Sequence, residues 1–298
     1  LKAGRAAFEE ALQLLGYGLP PAGRAQALGA LRQSLRQMVR LLGWPRRGLI
    51  PSQTPRAVLI DAAGVYQQLA EIYYYANDSI PGIYAALRGL NLAEKAGPSP
   101  ELARGYAGLA LGLSLTALPA NRLAGLYSRR ARRTAEAIDD ANARGSAMMV
   151  SGIIEAGHGL WDDADRHFIA AAEIFDALND SKRWEQLLTS RGHMAAIKGD
   201  FALCTELNRQ VYDHAAGRGD EQMQASALNW QAVGRGMRDE PEAAIALVQQ
   251  AYPFFAHSLD LGIQIIAYGA LAVAYRRLER IDEALDAAHT GLTLTQQG

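Results

Sequence analysis

Cysteine is nearly absent: Cys204 is the single thiol in 298 residues. No intrachain disulfide framework can form, and a reducing, cytoplasmic compartment is the expectation. Excess charge of one sign is missing too, since 30 Lys and Arg face 31 Asp and Glu for a formal net charge of −1. That balance gives no general attraction to nucleic acid or to an anionic membrane, and neither is expected as a partner. There is no initiator Met, no basic-then-apolar signal segment and no transit-peptide composition, so the chain reads as part of a longer polypeptide. Long apolar runs are lacking as well. The longest uncharged stretch, Gly105 to Asn121, is diluted by Gly108, Gly112, Ser114, Thr116 and Pro119, which predicts a helix buried by its neighbours and not a membrane span.

Catalytic and metal-binding signatures are equally scarce. No GxxxxGK[ST] phosphate loop occurs, and the glycine clusters 105/108/112 and 157/159 lie inside or at the end of helical patterns without a preceding strand. The six histidines, 158, 167, 193, 214, 257 and 289, contain no i,i+4 pair that would set two ligands on one helical face. No metal, no cofactor and no catalytic residue is therefore expected. Asp162, Asp163 and Asp165 read as first-turn acids that complement a helix dipole. Arg129, Arg130, Arg132 and Arg133 read as a solvated helix face paired with Glu136, Asp139 and Asp140.

What the sequence does contain is a pattern that returns every forty residues. Gly152, Gly159, Ala164, Phe168, Ala171 and Asp180 set a template that recurs as Gly192, Gly199, Cys204, Asn208, Val211 and Asp220, then as Ala232, Asp239, Ala244, Val248, Ala251 and Asp260. It continues forward through Ala272, Glu279, Ala284 and Gly291, and backward through Gly112, Ala124, Ala131 and Asp140 and, shifted by two, to Ala70, Gly82 and Gly89. Six units in one register indicate a repeat array, each unit a pair of antiparallel helices. The small residue at the Gly152-type position sits where the two helices cross, the Gly159-type position ends the first helix, and the Ala164-type position packs inside the hairpin. Cys204 falls at that last position, which makes it a core residue and not a nucleophile.

Turn chemistry agrees with this division. Gly199-Asp200 and Asp239-Glu240-Pro241 supply helix stops and starts, and in Gly97-Pro98-Ser99-Pro100-Glu101 Ser99 can cap, Pro100 takes the first helical position and Glu101 faces the dipole. The predicted helices are 2–15 and 22–42 in an N-terminal extension, then the pairs 55–76 with 80–96, 99–118 with 120–142, 144–159 with 161–178, 181–198 with 201–217, 221–237 with 241–258, and 261–279 with 281–296. The chain is thus divided into an extension and loop over 1–54 and a continuous repeat domain over 55–298. Residues 43–54 form a loop expected to lie against the repeats through Trp44 and Leu49.

The offsets Gly152, Gly159, Ala164, Phe168, Ala171 resemble the tetratricopeptide consensus, with helices longer than that family's norm. The stretches Tyr66-Gln-Gln-Leu-Ala-Glu-Ile-Tyr-Tyr-Tyr-Ala-Asn-Asp78 and Leu90-Asn-Leu-Ala-Glu-Lys-Ala-Gly-Pro-Ser-Pro-Glu-Leu-Ala103, with Ala11 to Gly16 upstream, resemble the C-terminal repeat region of bacterial multidomain proteins that join a nucleotide cyclase or kinase domain, an ATPase domain and such repeats. The resemblance implies an all-α, right-handed superhelical solenoid of about six helix pairs, with no enzyme activity of its own. It implies a scaffolding or regulatory arm for signal transduction, binding a protein or peptide segment or the upstream domains of its own polypeptide.

Carried onto matching positions, the family's concave groove would be lined by Gln67, Glu71, Tyr74, Tyr75, Tyr106, His193, Asn229, Arg276 and Arg277. Leu109, Leu113, Met149, Ile153 and Ile197 stand where a peptide-carboxylate clamp would need Lys, Arg and Asn. Tyr73 falls at a core position, whereas Tyr74 and Tyr75 fit either the groove or inter-repeat packing. A sensory domain is the alternative reading: a tight curl near Trp184 and Trp230 would enclose a small ligand or peptide and switch an attached enzyme or DNA-binding domain. The array ends at Gln296-Gln297-Gly298 without a polar capping helix, which leaves further chain, a covering surface or a homodimer as ways to close it.

Overall fold

A computed structural model describes residues 2–41, 54–76, 78–114, 121–255 and 261–296. Of the described residues 87% are helical, in 14 helices and with no strand. The described chain forms two compact units, Leu1–His158 and Gly159–Gly298. Their boundary falls within the predicted pair 144–159/161–178. The loop expected to pack through Trp44 and Leu49 lies outside the described residues.

The first unit comprises α1 (Lys2–Leu14), α2 (Arg24–Leu41), α3 (Arg56–Tyr75), α4 (Ser79–Ala96), α5 (Pro100–Ser114), α6 (Asn121–Ala137) and α7 (Ala141–Gly157). Helices α3 and α4 form one hairpin and α5 and α6 the next, while α1 lies on α3 and α2 on α4. The extension therefore shares a core with the first repeats: Leu12, Tyr66, Leu69, Tyr73, Leu90 and Tyr127 are all buried in one cluster. Buried tyrosines keep their hydroxyls satisfied, as the cost of burying an unpaired hydroxyl requires. Tyr66 donates to the Tyr17 carbonyl at 2.7 Å, and Tyr73 to Glu9 Oε1 at 3.1 Å. Burial pushes the Tyr73 phenol up to about 12.

The second unit comprises α8 (Trp161–Ala177), α9 (Ser181–Lys198), α10 (Phe201–Arg218), α11 (Glu221–Met237), α12 (Pro241–Phe255), α13 (Leu261–Arg277) and α14 (Ile281–Thr295). Hairpins α9/α10, α11/α12 and α13/α14 stack in sequence order, with α11 touching both α9 and α13. The Ala164-type positions are interior, with Ala164, Cys204 and Ala244 each 0% exposed. Burial pushes the Cys204 thiol up to about 11, which leaves it protonated and unactivated near neutral pH.

One turn design explains the period. From α6 onward helices begin at 121, 141, 161, 181, 201, 221, 241, 261 and 281. The connections at Asp139, Gly159, Asn179, Gly199, Gly219, Asp239 and Glu279 are left-handed, with φ between 52° and 88°. In the fullest examples the left-handed residue and its successor donate back to the last helical turn: Gly199 N to Ala196 O at 3.1 Å and Asp200 N to Ala195 O at 2.8 Å. Those bonds satisfy carbonyls the helix would otherwise leave unpaired. The successor then caps the next helix. Asp140, Asp180, Asp200 and Asp220 accept from the backbone N–H three residues on, at 2.7, 3.2, 3.0 and 3.1 Å. Stop and start thus occupy three residues after a 17-residue helix and two after an 18-residue one.

Other sequence expectations are met at α5, which begins at Pro100 and is capped by Ser99 Oγ accepting from Leu102 N at 3.1 Å. The predicted helix 120–142 is corrected: α6 stops at Ala137 and α7 starts at Ala141, because Asp139 takes the left-handed conformation with φ 52°.

Candidate functional site

The predicted groove positions fall on the first helices of the hairpins, α3, α5, α9, α11 and α13, and they are not equivalent. In the first unit Tyr74 is 65% exposed on α3. Gln67 and Glu71 precede it by two turns and one turn and are half-buried. Gln67 donates from Nε2 to the Glu101 carbonyl at 2.6 Å, so it ties α3 to α5. Tyr106 on α5 is half-buried, with its ring 5.9 Å from Tyr127 and its hydroxyl donating to Glu94 Oε1 at 3.0 Å. Tyr75 closes α3, and its side chain lies outside the described residues. Tyr73 is buried, as its core position predicts.

In the second unit His193 reaches solvent but stacks on Trp230, ring centroids 4.2 Å apart. Desolvation against that indole holds its pKa below the usual histidine value. Arg276 is exposed at the end of α13, while Arg277 is engaged in an ion pair with Asp239. Asn229 departs from the groove reading. It is 0% exposed, and its Nδ2 donates to the Ile263 carbonyl at 2.7 Å, so it joins α11 to α13 from the interior. Its polarity suggests a surface; the close approach of two helix backbones gives it an internal partner instead.

Two clefts accompany these faces. Between α6 and α7 lies a cavity of about 480 Å³ lined by Arg122, Arg129, Arg132, Glu155 and His158, with Ser128 and Ser151 among its walls. The two serine hydroxyls are buried and hydrogen-bonded to each other at 2.8 Å. Three guanidinium groups against one carboxylate make it basic. The sequence predicts pairing of the arginine run with the acids that follow it. Of those residues, Asp139 pairs with Arg144, Asp140 caps α7, and Arg130 lies over the Tyr106 and Tyr127 rings at 5.9 and 5.5 Å. The signal was available as the seven-residue separation of Arg122 and Arg129, which places both on one face of a helix, with Arg132 one turn further on.

The second cleft, about 160 Å³, sits beside Trp184 in the second unit and is lined by Asp176, Asn179, Ser181 and His214. Behind it Glu185 is 0% exposed and fully engaged. Its Oε1 accepts from His214 Nδ1 at 2.6 Å and Arg218 Nε at 3.1 Å, and its Oε2 accepts from Arg218 Nη2 at 2.5 Å. A fork-to-fork pair of this kind fixes the α9/α10 hairpin. The hydrogen bond to Glu185 raises the Arg218 pKa. Asp165 accepts from Arg191 at 2.7 and 3.2 Å and joins α8 to α9. The acidic cluster is thus partly a helix first turn and partly a latch. Among the described residues no group of three or more His, Cys, Asp or Glu could hold a metal, and no helix is long and apolar enough to cross a membrane.

No family model matches this sequence, and no curated protein does. Solved structures do. A point variant of a kinesin light chain with nearly identical TPR-like repeats, from Podosopora anserina, aligns with a TM-score of 0.53 at 14% identity, over 67% of this chain and 98% of its own. BtubC (BKLC) from P. vanneervenii aligns with a TM-score of 0.51 at 13% identity, over 82% of this chain and 92% of its own. At these identities the likeness is one of fold, and the fold is the tetratricopeptide-like helical repeat.

Proposed function

We propose that the chain is a non-catalytic protein-interaction module, holding polypeptide segments on the exposed faces of its first helices. The observation that carries this reading is the pairing of a rigidly capped hairpin repeat with accessible Tyr74, His193 and Arg276 on those helices. Aromatic and arginine side chains supply much binding energy per residue at protein interfaces, because they bury large surface with few rotatable bonds or with a fixed fork of donors. Gln67 and Tyr106 accompany them as polar positions already oriented by neighbours, with Glu71 half-buried one turn before Tyr74; Asn229 supports from the interior, and Arg277 is held at the surface by Asp239. The resemblance to the repeat region of multidomain bacterial proteins supports a place as the scaffolding or regulatory arm of a larger cytoplasmic signalling protein. The occupant is then another protein or the upstream domains of the same polypeptide.

A selection of peptides displayed against the whole chain tests this. Peptides enriched on the wild type should lose roughly tenfold or more in affinity for the Tyr74→Ala/His193→Ala/Arg276→Ala variant, the loss expected for about 1.4 kcal/mol of removed contact. Equal binding to both would overturn the assignment of these faces.

A second reading, ligand sensing, draws support from the α6/α7 cleft, whose volume falls in the range of small-molecule sites and whose charge suits an anion. Phosphate and dicarboxylates should raise the melting temperature of the wild type and not of Arg129→Ala/Arg132→Ala, because a ligand that binds only the folded state stabilises it. No shift with any anion removes this alternative.

A further inference from the structure

Helix α2 is inside out. Its buried side chains are Gln26, Gln33 and Gln37, at 6%, 4% and 4% exposure, whereas Leu28, Leu31, Leu35 and Met38 are 68%, 57%, 52% and 58% exposed. An ordinary surface helix has the opposite arrangement, with its apolar stripe against the core. Hydrogen bonds hold α2 in this orientation. Gln37 Nε2 donates to Asn91 Oδ1 at 2.9 Å and to Glu94 Oε2 at 2.8 Å, while Gln37 Oε1 accepts from the buried Tyr127 hydroxyl at 2.9 Å. Asn91 Nδ2 in turn donates to Gln33 Oε1 at 3.0 Å. Rotating α2 to bury its leucines would break all four bonds and leave Asn91, 1% exposed, with a desolvated amide.

The outward stripe has a definite form. Leu28, Leu31, Leu35 and Met38 stand at i, i+3, i+7 and i+10, the alternating three-and-four spacing of a helix-packing seam. It contains no aromatic residue, and it is narrow, as a seam for one helix is. Its surroundings are basic: α2 carries Arg24, Arg32, Arg36 and Arg40 and no acid. Arg36 is held below its ordinary pKa by burial and by Arg32 and Arg88, and Lys95 by burial and by Arg88, Arg36 and Arg40, so these cations lie within each other's field. Glu94 is committed to Arg40.

We infer that the exposed face of α2 docks an acidic amphipathic helix of a partner protein, its apolar residues seated on Leu28, Leu31, Leu35 and Met38 and its flanking carboxylates facing the exposed Arg24 and Arg32. Charge selects this occupant. A second copy would set Arg24 and Arg32 against arginines of the same stripe, and the segment 42–53 carries only Arg46 and Arg47 as charges, of the same sign. Exposed contiguous apolar surface of this kind is uncommon on a monomer and marks an interaction site. Helix-on-helix docking of this type reads an apolar i, i+3, i+7 face and takes its specificity from the flanking charges.

Fluorescence anisotropy of the full chain with two labelled helical peptides of about three heptads tests the inference. Both carry leucine at the seam positions; one has Glu at the flanks and the other Lys. The Glu peptide should bind, weaken as salt rises from about 50 to about 500 mM, and lose roughly tenfold or more on Leu31→Gln/Leu35→Gln. The Lys peptide should bind at least about tenfold more weakly than the Glu peptide. The substituted residues are exposed, so circular dichroism and melting temperature should stay at wild-type values and separate lost docking from lost folding. The Tyr74/His193/Arg276 variant should bind the Glu peptide unchanged, which keeps this result independent of the first-helix faces. Equal binding of both peptides, or unaltered binding by the Leu31/Leu35 variant, overturns the proposal. So does a sedimentation mass of a dimer that falls to a monomer on Leu31→Gln/Leu35→Gln, or stripe-dependent capture by phosphatidylserine vesicles in place of the Glu peptide.

Discussion

Replacing Arg218 by methionine is expected to cost about 3–5 kcal/mol of stability, read as a lowered urea midpoint at unchanged slope. The size follows from what remains behind. Glu185 is 0% exposed, and Arg218 donates two of its three hydrogen bonds. Methionine fills the space of the arginine stem but leaves a buried carboxylate with His214 as its only remaining partner among those bonds. Removing both charges should be far milder. Glu185→Leu/Arg218→Met should recover most of the loss, because a buried pair repays its desolvation only while both members are present. If the single and double variants are equally unstable, the loss belongs to packing and not to the charge latch between α9 and α10.

Gly234→Ala is expected to lower stability by about 1–3 kcal/mol although it adds one methyl to a helix, where alanine is normally preferred. A Cβ at this position would collide with Thr205 Oγ1 and stand 3.0 Å from the Phe201 carbonyl oxygen. The hydroxyl can turn away, at the expense of its own 2.9 Å bond to that carbonyl. The carbonyl belongs to α10 itself, so the α10 and α11 backbones must separate. Thr205→Ala in the same chain should relieve only the side-chain share of the loss. A Gly234→Ala protein as stable as wild type would mean that α10 and α11 do not approach this closely.

Much of the fold was legible because its punctuation is local. Glycines at 159, 199 and 219 and aspartates at 140, 180, 200 and 220 announce each stop and start without tertiary information. The α6/α7 junction is expected at 142–144, a few residues late, because the left-handed turn is made there by Asp139 in place of a glycine. The candidate site was less legible, since spacing says which residues share a face but not which face is turned inward. Asn229 reads as outward on its polarity, yet the carbonyl that satisfies it lies 34 residues away. The α2 stripe shows the same limit in reverse: its leucines are periodic enough to locate a helix, but only the Gln33–Asn91–Gln37 bonds determine that they point out. Arg129 and Arg132 acquire their meaning from α7, which supplies the opposite wall of the cleft.

The central claim, that this chain binds polypeptide and performs no chemistry on it, is tested most directly by calorimetric titration of the full chain with its tightest selected peptide, followed by mass spectrometry of the recovered peptide. Saturable binding with the peptide returned at its original mass is the predicted result. A peptide returned cleaved or modified, or no saturable binding by any selected peptide, would contradict it.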